Sequence, residues 1–299
     1  MGNADMTVGV VGLGHMGGGM ARRLLDTGHE VHGTTRTRDD ALDLVDAGLI
    51  WHDVPRQVAV AADVVVSSLP DDRAVESVAT GGNGILAGLD RGTTWLDMST
   101  ISPRMARYLA ARARMRRSAM LDAPVSGSPP QARAGTLTIM VGGDARGYAR
   151  VEPLLRELGT PVLVGASGHG QVLKLAINLS LAVQMVALAE GLLLAERAGL
   201  DTRLALDVMT NSAIGSPVLK ARAPLVLDLP DDAWFAISLM RKDVELALDA
   251  GNELGVPLRT ARSADEVLRA ARDIGYDDRD IAALLDVLRR TAPCREMAA

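Results

Sequence analysis

The sequence predicts an α/β protein: a doubly wound sheet over residues 1–165, then an all-helical domain over 166–292 joined to it by a long helix, then a tail at 293–299. Three observations predict it. Short aliphatic runs alternate with helical periodicities from Thr7 to Val164, the pattern of a mostly parallel sheet with helices on both faces. A glycine-rich turn, Gly12-Leu13-Gly14-His15-Met16-Gly17, follows the first aliphatic run. Beyond Gly165 every apolar pattern has the helical period, which places the domain boundary at Gly165–Gly170.

Thr7–Val11 is the first strand, and helical periodicity runs from the glycine turn through Leu24 and Leu25 to Gly28. Glu30–Thr34 is the second strand. Arg38–Asp46 is helix-like and stops at Gly48. Asp63–Leu69 reads as a buried strand, after which Pro70 opens a loop into a short helix over Asp71–Ser77. Thr93–Asp97 is a strand, and Ser102-Pro103 opens the helix from Arg104 to Arg116. Strands follow at Met120–Asp122, Thr136–Val141 and Pro161–Val164, with a helix at Ala145–Leu158. The helical half reads as Gln171–Ala198, Leu204–Met209, Val218–Ala223, Leu239–Gly251, Ala261–Ala271 and Ile281–Leu288. The first of these is apolar on all sides, which calls for burial among helices of its own domain or of a partner subunit.

Composition narrows the function classes. Hydrophobic residues make up 48% but aromatics only 2%, so the core is aliphatic. The formal charge is −5 with no basic block, which argues against nucleic acid as a partner, since backbone binding needs clustered positive charge. The single cysteine, Cys294, follows Pro293 in a polar tail; one cysteine forms no internal disulfide, and a reducing, cytoplasmic setting is expected. Leu173–Ala189 is strongly apolar but carries Lys174, Asn178, Ser180 and Gln184, so it reads as a buried helix, too short and too polar for a membrane span.

The turn from Gly12 to Gly17 satisfies GxGxxG between a strand and a helix. The first glycine permits the tight turn, the second admits a pyrophosphate to the backbone, and the third lets helix pack on strand. The helix end then offers free N–H groups and a positive dipole to phosphates. At the end of the second strand, where an acidic residue would bind ribose hydroxyls, the chain has Thr34-Thr35-Arg36-Thr37-Arg38. Arg36 is suited to a 2′-phosphate in two-pronged geometry, with Thr35, Thr37 and Arg38 as helpers. NADP(H) is therefore the expected cofactor, with NAD(H) as the alternative.

Only three lysines occur, Lys174, Lys220 and Lys242, against 29 arginines. Arginine keeps its charge, whereas lysine can exchange a proton, so each lysine is a candidate for chemistry. Lys174 lies on the apolar helix with Asn178 one turn on. An apolar setting favours its neutral amine and a bound carboxylate favours its ammonium. Lys220 follows a Gly-Ser-Pro turn and reads as surface. The histidines (His15, His29, His32, His52 and His169) form no metal-ligand spacing, and no GxSxG elbow is present.

These segments together resemble the β-hydroxyacid dehydrogenase family, over nearly the whole chain from Gly9 to about Leu288. The match rests on GLGHMGGGMA with Met16 and Met20, on Asp97-Met98-Ser99-Thr100 followed by Pro103, and on Asp122-Ala123-Pro124-Val125-Ser126-Gly127 with Ala132 and Gly135-Thr136-Leu137. Gly168, Lys174, Asn178 and the pair Lys242-Asp243 complete it. The resemblance implies a Rossmann-type domain, a long connecting helix and a helical domain that packs between subunits of a homodimer or homotetramer.

It further implies that Leu13, His15, Met16, Leu69, Pro70, Ser99, Thr100, Lys242 and Asp243 join the glycines and the Thr35-Arg36-Thr37 segment around the cofactor. Ser126, Gly127, Ser128 and Lys242 are implied to bind a small carboxylate-bearing substrate, and Lys174 with Asn178 to carry the chemistry. That chemistry is hydride transfer between the nicotinamide and a β-hydroxyacid or its semialdehyde, with Lys174 as proton donor or acceptor. Two positions depart from the family: Ser128 and Gln131 stand where glycine is usual, and the Ser128 hydroxyl is expected to make the substrate end narrower or more polar. The rivals are an imine reductase, an enzyme of phosphorylated sugar acids and a non-catalytic nucleotide-binding protein. Lys174 and the Pro-Val-Ser-Gly segment disfavour the first, chain length the second, and the retained Lys174–Asn178 pair the third.

Overall fold

The computed structural model describes residues 6–292; Cys294 and the tail at 293–299 lie outside the described residues. Residues up to Lys174 and those from Leu175 on form two compact units, so the division falls inside the long helix, later than the 165/166 boundary expected from the sequence.

In the first unit the order is β1 (Val8–Val11), α1 (His15–Asp26), β2 (Val31–Thr34), α2 (Leu42–Asp46), β3 (Ile50–Trp51), α3 (Pro55–Ala61), β4 (Val64–Ser67), α4 (Asp72–Ala79) and α5 (Ile85–Gly88). It continues with β5 (Thr94–Asp97), α6 (Pro103–Met115), β6 (Ala119–Asp122), β7 (Val125–Ser126), α7 (Pro129–Ala134), β8 (Leu137–Gly142), α8 (Ala145–Leu158) and β9 (Gly159–Gly165). The sheet runs β3-β2-β1-β4-β5-β6-β8-β7, with β9 paired to β8. Pairing is parallel from β3 through to β6 and between β8 and β9, and antiparallel where β8 meets β6 and β7.

Strand alternation divides the core. Val64, Val66 and Leu96 join one apolar cluster with α1 and α8, while Val65, Trp95 and Met120 join another with α3 and α6. Helices on both faces bury both sides of each central strand, which is why those strands read as unbroken aliphatic runs. The progression of strands reverses between β1 and β4, and ligands of such sheets bind at the carboxyl ends of the strands flanking that point.

Elements the sequence did not announce are short: β3, α3, α5, β7 and α7 span two to seven residues each. The expected helix at Arg38–Asp46 is a 3-10 turn over Arg38–Ala41 continued by α2.

The helix α9 runs from His169 to Arg197 and is continuous across the two units. By length and composition it would suffice to cross a membrane, although the stretch Leu173–Ala189 within it reads from the sequence as too short and too polar to do so. Its residues Ala182, Met185, Leu188, Ala189 and Leu192 instead form the core of the second unit. Around them stand α10 (Thr202–Asn211), α11 (Pro217–Leu227), α12 (Ile237–Glu253), α13 (Arg259–Asp273) and α14 (Leu284–Thr291). Leu206, Leu219, Met240, Val244, Leu268 and Leu284 are the main contributors from those helices.

Candidate active site

The glycine turn is built to a steric requirement. Gly12 has φ of +92°, and a Cβ there would lie 2.4 Å from the Ser68 carbonyl oxygen at the end of β4. A Cβ on Gly17 would lie 1.9 Å from the Gly12 carbonyl oxygen. Neither position admits a side chain. Gly14 is different: it is the exposed N-cap of α1, and a Cβ there would meet nothing within 4 Å. No side chain caps this helix end. An open approach to unclaimed N–H groups at the positive end of a helix fits a dinucleotide pyrophosphate.

Leu13 is buried, His15 exposed and Met16 half-buried around this turn. At the end of β2, Thr35 is half-buried, and Arg36 and Thr37 are exposed. Arg36 makes no ion pair with the described residues. Arg38 places its guanidinium 5.9 Å from the centre of the Trp51 ring.

The ends of β4 and β5 are tied together by one buried carboxyl, that of Asp97, which the sequence placed in a family segment without assigning it a role. Asp97 Oδ1 accepts from Ser67 Oγ and from Ser99 Oγ, each at 2.7 Å. Ser67 Oγ accepts in turn from Trp95 Nε1 at 2.8 Å, and Ser99 Oγ accepts from the Leu69 N–H at 3.0 Å. The structure therefore joins Leu69 and Ser99 directly, whereas Pro70 stands exposed beside them. Asp97 is fully buried and its Oδ2 has no hydrogen-bond partner. Burial pushes its carboxyl up to about 7, the two serine hydroxyls and the Ser99 N–H only partly opposing the rise.

Asp122, beside Asp97 in the parallel register of β5 and β6, faces the start of α9. Its Oδ1 accepts from the Gly168 N–H at 2.7 Å and its Oδ2 from the Gln171 N–H at 3.1 Å. Burial raises this carboxyl to about 6, against the lowering effect of those N–H donors. Gln171 is fully buried; its Nε2 donates to the Ser99 carbonyl at 2.9 Å and its Oε1 accepts from the Ile101 N–H at 3.1 Å. Acidic residues closing two neighbouring aliphatic strands were the available signal for Asp97 and Asp122. Nothing in the sequence pattern marked Gln171.

Lys174 follows Gln171 by three residues and is 8% exposed; Asn178, one turn further along the same helix, is 2% exposed. In the second unit Asn178 Nδ2 donates to Asp243 Oδ2, and Lys242 Nζ lies 2.8 Å from Asp243 Oδ1. One carboxylate, that of Asp243, thus pairs with both Lys242 and Asn178. Ser126 ends β7, opposite Thr138 of β8, and Gly127 follows it in an exposed turn. The histidines at β2 pair with protein groups: His29 with the Met6 carbonyl and Glu157, His32 with Glu30 and, at 2.8 Å, with His52. Burial, then the neighbouring His32, lowers the His52 pKa.

Comparison with known proteins agrees with this architecture along the chain. Residues 7–168 match the family model for the NAD binding domain of 6-phosphogluconate dehydrogenase, and residues 168–288 match the one described as NAD-binding of NADP-dependent 3-hydroxyisobutyrate dehydrogenase. The 2-hydroxy-3-oxopropionate reductase of Escherichia coli is 35% identical over 288 residues, covering 96% of this chain and 98% of that protein. The chain belongs to the 3-hydroxyisobutyrate dehydrogenase-like β-hydroxyacid dehydrogenases. It is an NAD(P)-dependent oxidoreductase.

Other members of the β-hydroxyacid dehydrogenase family are equally near. The 3-hydroxyisobutyrate dehydrogenase of Pseudomonas aeruginosa is 36% identical over 296 residues, covering 94% of this chain and 98% of that protein. A structure of the Mycobacterium tuberculosis 3-hydroxyisobutyrate dehydrogenase with L-serine superimposes with a TM-score of 0.82 at 32% identity, covering 95% of this chain and 99% of that one. Within this family the two departures, Ser128 and Gln131, prove to be partners. Ser128 is the N-cap of α7, and both its N–H (2.9 Å) and its hydroxyl (3.0 Å) donate to Gln131 Oε1. The Ser128 hydroxyl, expected to make the substrate end narrower or more polar, closes a capping box with Gln131, donating to its side chain and accepting from its backbone N–H.

Proposed function

We propose that this enzyme uses NADP(H) to interconvert a small, carboxylate-bearing β-hydroxyacid and its semialdehyde, with Lys174 exchanging the proton. The observation that carries the reading is the placement of Lys174: a scarce lysine, almost buried, on the helix that also carries Asn178. The printed activities of the relatives, a 2-hydroxy-3-oxopropionate reductase and 3-hydroxyisobutyrate dehydrogenases, support the substrate class.

The Gly12–Gly17 turn would hold the pyrophosphate, Arg36 with Thr35 and Thr37 the 2′-phosphate, and the Leu69-Pro70 and Ser99-Thr100 segments the nicotinamide half. A bound nicotinamide supplies hydride in reduction and takes it in oxidation. In oxidation the neutral Lys174 amine accepts the hydroxyl proton as the C–H bond breaks; in reduction its ammonium gives that proton to the nascent alkoxide. Asn178, held by Asp243, orients the reacting oxygen, and Lys242 offsets the Asp243 charge. The Ser126–Gly127 turn presents a hydroxyl and backbone N–H groups to the substrate carboxylate.

An acid-versus-ester comparison tests the substrate class. Turnover of a β-hydroxyacid should far exceed that of its methyl ester, and equal catalytic efficiency on both would remove the carboxylate from the account. A homodimer or homotetramer belongs to the same proposal. Leu194, Leu200, Leu204 and Val208 are each more than half exposed on the second unit, an apolar surface suited to a second copy. Sedimentation at micromolar protein tests it, and a clean monomer would overturn it.

A further inference from the structure

We propose that Gln171 is a positioning residue: its side-chain amide locks the Ser99–Ile101 segment to the first turn of α9 and thereby sets where Lys174 stands against the reacting carbon. The inference rests on the reading of Lys174 as the proton-transfer group. Gln171 uses its polar atoms on three groups of two strand-end segments at once. Nε2 donates to the Ser99 carbonyl, Oε1 accepts from the Ile101 N–H, and the backbone N–H is donated to Asp122. Asp122 holds the Gly168 N–H as well, so the helix start is fixed on two sides.

The same Ser99 gives its hydroxyl to Asp97 and takes the Leu69 N–H. A continuous set of hydrogen bonds thus runs from the loop after β4, through the loop after β5, to a residue about 4.5 Å along the helix axis from Lys174, at about 1.5 Å of rise per residue. The two loops are those assigned to the nicotinamide half of the cofactor. Hydride and proton must move at one carbon–oxygen bond, so the loop and the lysine have to keep register with each other. Gln171 is the side chain that holds that register.

The chemistry of the amide explains why glutamine suits this position. One end must donate to a carbonyl and the other accept from an N–H, with both partners buried. Leucine, of similar size, leaves both backbone groups unpaired. An ionised glutamate keeps the bond to Ile101 but sets an acceptor against the Ser99 carbonyl. A protonated carboxyl restores the donor, so Gln171→Glu is a variant whose defect depends on pH.

The test is steady-state kinetics of the purified enzyme with NADPH and a carboxylate-bearing semialdehyde, for wild type, Gln171→Leu, Gln171→Glu and Lys174→Ala. A misplacement of about 1 Å costs on the order of 100-fold in rate, so Gln171→Leu should lose roughly 10- to 100-fold in kcat. Its KM for NADPH should change little. With NADPH deuterated at the transferred position, the isotope effect on kcat should grow as hydride transfer becomes rate-limiting. Burial at this position raises a carboxyl's pKa, so Gln171→Glu should run closest to wild type at the acid end of the profile and fall away from it as the introduced carboxyl ionises. Each rate is taken relative to wild type at the same pH, because Asp97 and Asp122 titrate in both proteins.

Wild-type kcat in Gln171→Leu overturns the inference. So does a Gln171→Glu profile parallel to wild type at every pH, which decides the matter even if Gln171→Leu does not fold. Loss of turnover in Lys174→Ala with unaltered Gln171 variants overturns this inference alone, whereas retained turnover in Lys174→Ala overturns the reading of Lys174 and this inference with it.

Discussion

Two helix starts in the first unit meet opposite fates. At α1 the N-cap is Gly14, with open space over it and no side chain claiming the N–H groups. At α9 the buried Asp122 carboxylate takes the N–H groups of Gly168 and Gln171. Both ends carry the same partial positive charge. The first is left for an anion from outside, and the second is neutralised from within, so that α9 can serve as a rigid mount for Lys174. One fold thus uses the same backbone property once for binding and once for construction.

The comparison can be broken first at the lysine. Lys174→Ala should lower turnover about 10²–10⁴-fold, the usual worth of a general acid–base group, while NADPH titration stays near wild type. Arginine at this position should not rescue, since it holds its proton. Full turnover in the folded variant would return α9 to a purely structural role.

A second change makes α1 resemble α9. Gly14→Asp installs an acidic N-cap where the fold has room for one. It should leave thermal stability equal or raised, because aspartate is a good N-cap. NADP(H) affinity should fall by about 10- to 100-fold, the worth of a charge-assisted hydrogen bond at roughly 1.5–3 kcal/mol. Calorimetry reads both quantities, and undiminished affinity would place the pyrophosphate elsewhere.

Arg36→Ala sharpens the cofactor side. Catalytic efficiency with NADPH should drop about tenfold while that with NADH hardly moves, because in the proposed binding mode the guanidinium would meet a phosphate that only NADPH carries. Equal losses with both would make Arg36 a support of the β2 end instead.

The smallest effect concerns Asp97. Its carboxyl, raised from 3.8 to about 7, binds a proton more tightly in the folded chain than in the unfolded one. Wild-type stability should therefore decline from this group as pH rises from about 4 to about 7 and level off above it. Asp97→Asn lacks that slope, so its melting temperature should gain on wild type across the same window. Asp122 adds its own decline up to about pH 6, and because its charge is among the causes that raise Asp97, the difference reports Asp97 together with that coupling. A difference that stays flat with pH would mean that Asp97 remains ionised throughout.

The sequence made the sheet and the long helix legible because local rules determine them. Ala145–Leu158 was read to the residue, since periodicity, a preceding Asp144 and a following glycine agree. The helices α3 and α7 were missed although each opens on a proline, because short helices carry too few apolar positions to show a period. Lys174, Asn178 and the glycine turn were visible as motifs. Asp97 and Asp122 stood inside motifs without a role, and Gln171 was unmarked, because the contacts that give them one reach 30 to 72 residues along the chain and exist only once the strand ends come together. Ser128 and Gln131 were read as two separate departures. They are one, a serine and a glutamine three apart closing on each other at a helix start.

The most direct measurement is the steady-state oxidation of NADPH by the wild-type enzyme with a small carboxylate-bearing semialdehyde, with NADH run in parallel. The account predicts turnover with NADPH that exceeds turnover with NADH at equal concentration. No turnover with either, or a preference for NADH, would contradict it.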